Sequence, residues 1–554
     1  MNKGKQQDIE QVDESNTPVT RNGDCAETIT PPVVGDYPNA QDQMEVLGLE
    51  MHAPVFFLSA AVILVFVMLA IVAPVQTDLL FSQTMTWTIE HFDWLFSFTA
   101  DVVVVFCLLL IVLPIGSIRL GGVDASAEYS VLSWFAMLFA CAMGIGLMYW
   151  SVAEPISHYL GHDGTPLGVA PATPEAADLA MGATLYHWGF HPWAMYGLVA
   201  LALGFFAFNR GLPLTLRSAF YPLLGKRIWG WPGDIIDSTA VIATVFGLAT
   251  SLGFGARQIS AGLNFLFGTP NTVPVQLGII VAITLLVVVS MIFGIKRGIR
   301  RVSQLNLLIA VVLAAFVFAA GPSLAIIAVG ADSLISYVQH SGALSLWFDR
   351  DDEAWYHQWT VFYWAWWISW TPFVGLFVAR ISRGRTIRQC LVAMLVIPSI
   401  LTFMWLTIFG GSAILQLQAG GSELQALGNQ PSLALFTMLK TLPWSEVTVV
   451  LGLLAVVVFF VSSSDSASLV ADSLSSGGAL DSSTSQRVFW ATLEGLIASM
   501  LLVGGGTLAL DALHAGAITT ALPFTIVLLL MCGSLAIGLL EEWRLLRQRR
   551  RSVI

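Results

Sequence analysis

Twelve times between residues 54 and 540 the chain runs apolar for about twenty residues, the length a helix needs to cross the hydrocarbon core of a bilayer. The runs fall at 54–74, 95–115, 131–152, 178–207, 234–264, 275–295, 304–329, 356–379, 387–410, 445–469, 488–508 and 518–540. The fifth and tenth are long and interrupted by small residues. Only 11% of residues are charged and the mean hydropathy is +0.76. A soluble domain carries about 25% charged residues, so the chain reads as an all-α polytopic membrane protein with twelve transmembrane helices.

Lys and Arg give the expected orientation, because cytoplasmic loops collect them. With the N-terminus inside, the inner loops and C-terminal tail hold nineteen, among them Arg119, Arg217, Arg300, Arg385 and Arg487. The outer loops hold only Arg350 and Lys440. Both termini are therefore expected in the cytoplasm of a bacterial cell, with the spans in its inner membrane. Residues 1–50 are acidic and polar and read as a disordered tail. Residues 541–554 form a basic tail suited to anionic lipid. Phe81 to Phe98 and Ser333 to Phe348 look amphipathic and read as interfacial helices. No signal peptide is visible. The five cysteines, Cys25, Cys107, Cys141, Cys390 and Cys532, suggest neither a disulfide nor a zinc site. Nothing resembles a phosphate-binding loop, which argues against direct ATP coupling.

Four stretches depart from plain span composition. Phe139 to Glu154, FACAMGIGLMYWSVAE, carries Gly144 and Gly146 inside the third run. Each glycine costs a helix interior about 1 kcal/mol relative to alanine. Lipid offers unpaired backbone no partners. The pair therefore marks either close helix packing or a broken helix lining a binding cavity. Phe362 to Phe373, FYWAWWISWTPF, places Trp364, Trp366, Trp367 and Trp370 in mid-span, too dense for an interfacial belt. Tyr186 to Tyr196, YHWGFHPWAMY, adds Trp188, Trp193 and Tyr196. Aromatics from two spans either pack helices together or cage a quaternary ammonium, which has no N–H to donate but is drawn to ring faces. His187 and His191 stand at i, i+4 without an acidic third ligand nearby in sequence, so packing or hydrogen bonding is expected of them rather than metal binding. Val458 to Ser468, VFFVSSSDSAS, sets Ser462, Ser463 and Ser464 beside Asp465. Hydroxyls suit a hard cation, or else bond back to their own helix.

Together MGIGLMYWSVAEP, HWGFHPWAMYG and FYWAWWISWTPFVGLFVARISRGRTIR resemble the betaine/carnitine/choline transporter family. The resemblance implies a LeuT-like core of two inverted five-helix repeats, spans 3–7 (residues 131–330) and 8–12 (residues 331–540). Two peripheral helices in 51–130 precede them. It implies a homotrimer and alternating access for trimethylammonium solutes, with no enzymatic activity and no nucleic-acid partner. Carried over by position, Trp188, Trp193, Tyr196 and Trp367 look like the aromatic box around the ammonium. Trp366 and Trp370 look like accessory aromatics. Unwound Met143, Gly144, Ile145 and Gly146 would offer backbone N–H groups to the carboxylate. The carbonyls of Ala140 and Met143, with Phe459, Ser462 and Ser463, resemble a sodium site.

Some positions depart from the family pattern. Ala142 replaces the first glycine of the GMGIG run. A second ion site would use Thr244, with Phe373 nearby, but Leu248 stands where a second hydroxyl is expected. Na⁺-independent exchangers carry an arginine in the seventh span, apolar here near Leu307, and H⁺-coupled choline members carry Asp where this chain has Gly146. The expectation is a Na⁺-coupled symporter of a zwitterionic betaine, glycine betaine first, with Na⁺ as coupling ion and no other cofactor. The alternatives are choline, carnitine or dimethylsulfoniopropionate, moved by H⁺ coupling or exchange.

Overall fold

The computed structural model describes residues 43–46, 49–142, 144–293, 296–427, 430–478, 483–506 and 509–553. Every one of the twelve apolar runs is helical within them. The chain opens with a hairpin of β1 (Gln43–Val46) and β2 (Leu49–His52), paired antiparallel with Gln43 opposite His52. Residues 43–46 and 49–50 thus form strands where the polar composition suggested a tail. Residues 1–42 lie outside the described residues.

The first two helices are α1 (Ala53–Val72) and α2 (Pro74–Val112). Phe81 to Phe98 is not a separate interfacial helix. It is the middle of α2, because no glycine or proline interrupts the chain between Pro74 and Pro114. The third run is split into α3 (Val131–Ala142) and α4 (Ile145–Leu160), twelve and sixteen residues long. The fourth is α5 (Pro174–Trp188) and α6 (Phe190–Phe208), hinged at Gly189. A Cβ on Gly189 would come within 2.6 Å of the Leu185 carbonyl oxygen.

The fifth run is one continuous helix, α7 (Trp231–Phe267), opened by Pro232 and ended by Gly268 at φ 68°. Its small residues do not interrupt it. They admit neighbours: a Cβ on Gly247 would meet Ser369 Oγ at 2.4 Å, and one on Gly262 would meet Phe436 at 2.7 Å. After α8 (Val273–Ile292) and α9 (Lys296–Ala320), Gly321 and Pro322 turn the chain by 107° into α10 (Ser323–Ser345). The seventh span therefore ends at Ala320 rather than 329. Proline cannot donate the N–H that would carry the helix on. Ser333 to Phe348, read as interfacial, falls mainly within this transverse helix.

The eighth run begins with a π-helical turn, Tyr356–Val361, and continues as α11 (Phe362–Ile381). Then follow α12 (Ile387–Gln418), opened by a reciprocal Thr386–Gln389 cap, the short α13 (Pro431–Lys440), α14 (Ser445–Ser475), α15 (Thr484–Gly505) and α16 (Ala509–Val553). The tenth span, α14, is likewise unbroken. Among the described residues ten helices are long and apolar enough to cross a bilayer, or eleven with the bent α9–α10 pair as one. The split α3 and α4 are each too short alone.

Burial separates an inner layer from an outer one. The apolar window of the α5–α6 span is 89% buried, that of the π turn with α11 83%, and that of α7 78%. Those of α1 and α8 are 44% and 28% buried. Outward Leu and Val on α1, α2 and α8 suit lipid, whereas α5, α6, α7 and α11 surround the region described next.

Candidate functional site

Between α3 and α4 the helix is interrupted. Gly144 takes an extended backbone, φ −145° and ψ 174°, and caps α4. The two glycines have separate reasons to be small. A Cβ on Gly146 would lie 2.3 Å from Trp366 Cη2, whereas one on Gly144 would meet nothing within 4 Å. Trp366 packs its ring edge directly onto the Gly146 backbone and thereby seats α4 against α11.

A single cavity is walled by Gly144, Ile145, Gly146, Trp188, Trp193, Tyr196, Trp366, Trp367 and Trp370, together with Leu147, Pro192, Val374 and Thr402. Every described residue that the sequence reading set around the substrate lines it. Met143 lies outside the described residues. The rings stand mostly edge to face. Trp188 and Trp367 have centroids 4.8 Å apart at 79°, Trp193 and Tyr196 5.3 Å at 79°, and Tyr196 and Trp367 6.3 Å at 88°. Trp366 stacks on Trp367 at 4.8 Å and 22°. Each α11 indole that lines the cavity is pinned by its N–H. Trp367 donates to the His187 carbonyl at 2.8 Å, Trp366 to Ser251 Oγ at 3.2 Å, and Trp370 to the Gly247 carbonyl at 3.4 Å. The rings held this way line one shared space. That arrangement accepts a cation that cannot hydrogen-bond.

Behind the cavity wall lies a buried polar cluster that local sequence patterns do not show. Glu154, His158 and His187 bring ligand-type atoms within 4.8 Å of one another. His187 Nδ1 is 2.7 Å and His158 Nε2 3.3 Å from Glu154 Oε1. The acidic neighbour missing from the sequence around His187 is thus supplied by α4. The cluster is built for hydrogen bonding rather than for a metal. The Trp355 indole, which can only donate, gives its N–H to His158 Nδ1 at 3.0 Å. That leaves the His158 proton on Nε2, facing Glu154. His191 is engaged elsewhere, 3.2 Å from Asp101 Oδ1. The sequence did hold one signal for the cluster: an acidic residue two positions past the third apolar run.

The residues read as a sodium site divide. Phe459, Ser462 and Ser463 lie on α14, where the Ser462 hydroxyl donates to the Phe459 carbonyl at 3.0 Å. Met143 is outside the described residues, and only the helical backbone of Ala140 is described. Gly255 of α7 lies beside both segments: its added Cβ would touch Ile145 at the start of α4 at 3.1 Å and Phe460 in the middle of α14 at 3.2 Å. For the second ion position, the contacts Ser251–Trp366 and Gly247–Trp370 run antiparallel along α7 and α11. One turn further lie Thr244 and Phe373. Thr244 is fully buried, and its hydroxyl has no partner among the described residues.

Residues 54–544 match the model of the betaine/carnitine/choline family of transporters. The chain belongs to that family. It is a multi-pass membrane transporter and not an enzyme. The glycine betaine transporter 1 of Vibrio parahaemolyticus is 50% identical over 509 residues, covering 92% of this chain and 97% of the relative. A glycine betaine/proline/choline transporter of the same organism is 47% identical over 527 residues, covering 92% and 95%. A glycine betaine transporter of Bacillus subtilis is 41% identical over 499 residues, covering 90% and 96%. A solved manganese transporter of Eremococcus coleocola is 14% identical with a TM-score of 0.40, covering 74% of this chain and 83% of that one.

Proposed function

We propose that this transporter takes up a trimethylammonium-type zwitterion, glycine betaine first, by symport with Na⁺. One observation carries the reading: aromatic rings from α5, α6 and α11 line the same cavity as the interrupted backbone of Gly144 to Gly146. The rings suit a methylated ammonium, each face contributing roughly 2 kcal/mol or more when desolvated. The helix N-terminus beginning at Ile145 presents unpaired N–H groups, and these suit a carboxylate. A betaine carries both charges.

Sodium coupling is supported by the chemistry of the donors. Ser462, Ser463 and the Phe459 carbonyl are hard oxygen donors, and Gly146 and Leu307 stand where other coupling modes place a charge. Thr244 and Phe373 are assigned to a second, weaker ion position. Na⁺ acts by favouring the substrate-bound arrangement, through contacts absent without it. In this reading the protein works as a homotrimer in the inner membrane, both termini cytoplasmic, with the Arg-rich tail against lipid headgroups. Spans 3–7 and 8–12 act as two inverted units that rock about the cavity.

The test is uptake of labelled glycine betaine into proteoliposomes under a Na⁺ gradient, compared with H⁺ or K⁺ gradients alone. Uptake only with Na⁺ is expected, and equal uptake in all three removes the coupling assignment. Competition by unlabelled choline, carnitine, proline and dimethylsulfoniopropionate ranks the solutes. That one relative is a glycine betaine/proline/choline transporter makes choline the second reading.

A further inference from the structure

The cage reading explains what the rings do and leaves open what holds and charges them. Glu154 is fully buried in α4. Its Oε2 accepts the Trp188 indole N–H at 2.8 Å and the Tyr363 hydroxyl. Its Oε1 accepts from His158 Nε2, whose proton the Trp355 indole fixes there. The fourth neighbour is His187 Nδ1, whose ring partner Nε2 lies 3.0 Å from the Thr360 hydroxyl. An ionised carboxylate offers about four lone-pair sites; Trp188, Tyr363 and His158 fill three, and His187 fills the fourth in the tautomer in which the Thr360 hydroxyl donates to Nε2 and the ring proton stays on Nδ1. A protonated acid would set its own hydrogen against one of these donors. Among the described residues Glu154 pairs with no Lys or Arg, only with the two histidines. In that tautomer one negative charge sits behind the cavity wall without a Lys or Arg paired to it among the described residues.

We propose that Glu154 is the positioning residue and built-in counter-charge of the aromatic box, acting on an onium ligand through Trp188. The proposal rests on the cage reading above. Its physics has two parts. The N–H···O⁻ bond fixes the plane of an indole that lines the cavity. A charge-assisted bond of this kind is about twice as strong as a neutral one. The anion also pushes electron density back into the donor ring. The face shown to the ligand becomes more negative, and a cation over it is held more tightly. The trimethylammonium group then supplies the positive charge the cluster lacks, with the indole as the spacer between them.

The experiment is equilibrium binding of radiolabelled glycine betaine and choline to the purified full-length protein, arranged as a double-mutant cycle. Glu154→Gln offers one acceptor oxygen where four donors point. We expect Kd to rise tenfold or more, with apparent KM following it and the maximal uptake rate within about twofold. Replacing Trp188 by 3-benzothienylalanine keeps the bicyclic ring and removes only the N–H. That change alone should weaken binding about fivefold with Glu154 in place. In that background Glu154→Gln should add less than about twofold. Unchanged affinity in Glu154→Gln, or the full additive loss in the combined variant, overturns the proposal. If Glu154→Gln does not fold, the isostere alone decides, since unchanged binding there overturns it equally. Trp367→Ala separates the two readings. If it abolishes tight binding while Glu154→Gln does not, the cage stands and the role of Glu154 falls. If Trp367→Ala also binds normally, the cage itself is wrong and this proposal goes with it.

Discussion

The third and eighth spans face the same cavity and are built in opposite ways. The third gives up side chains and interrupts its helix at Gly144, so that backbone meets the cavity. The eighth stays helical and fills the space with indoles, three of which line the cavity. The two are complementary at one point: Trp366 occupies the volume that a Cβ on Gly146 would need. The comparison teaches that a glycine pair in a membrane helix is not one feature. Gly146 is small because a ring from another span lies on it, and Gly144 sits where the helix restarts.

The comparison is tested most severely on the ring side. Trp367→Ala removes a face worth about 2 kcal/mol, so the apparent substrate constant should rise tenfold or more. Near-normal transport kinetics would move the site elsewhere. On the backbone side, Gly146→Ala forces a clash with a 1% exposed indole. Overpacking costs about 1–3 kcal/mol, so uptake should drop about fivefold or more. Trp366→Phe in the same chain should recover part of it by removing the clashing atom. Gly144→Ala should change uptake less than about twofold, since its dihedrals suit any residue and its Cβ meets open space. Equal effects at the two glycines would erase the distinction drawn here.

Smaller effects are expected away from the contact. Ser462→Ala removes one oxygen, worth about 1 kcal/mol. The Na⁺ concentration for half-maximal uptake should rise about fivefold, and the betaine constant at saturating Na⁺ should hold. A flat Na⁺ response would leave Ser462 only its bond to Phe459. Thr360→Val takes away the hydroxyl beside His187. It should lower the thermal midpoint by about 2–4 °C and leave transport within about threefold. A larger transport loss than stability loss would make the π turn part of the binding site.

The sequence made the third span legible because two glycines in an apolar run contradict helix propensity outright. The indole cluster was legible for the same kind of reason, a composition no lipid-facing span needs. The serine cluster invited the same inference and behaves differently. A serine hydroxyl can satisfy itself on its own helix, as Ser462 does with the Phe459 carbonyl, so α14 runs on unbroken. The network around Glu154 was out of reach because its members are far apart in the chain. His187 lies 33 residues on and Tyr363 209, and only the packed fold brings them to one carboxylate. The continuity of α2 was readable from the lack of breakers between Pro74 and Pro114, but the amphipathic pattern of Phe81 to Phe98 pointed the other way.

The π turn at Tyr356–Val361 has a further consequence. It inserts slack of one residue just ahead of the tryptophan run. Just before it Trp355 reaches His158, and at its first residue Tyr356 reaches Ser97 at 2.7 Å. Downstream, Trp366 and Trp367 reach Ser251 and the His187 carbonyl. A rod of uniform pitch would hold both groups in one fixed angular relation. The extra residue works like a keyed offset in a shaft, letting each half of the span meet its own set of neighbours at an angle that an unbroken α-helix would not allow.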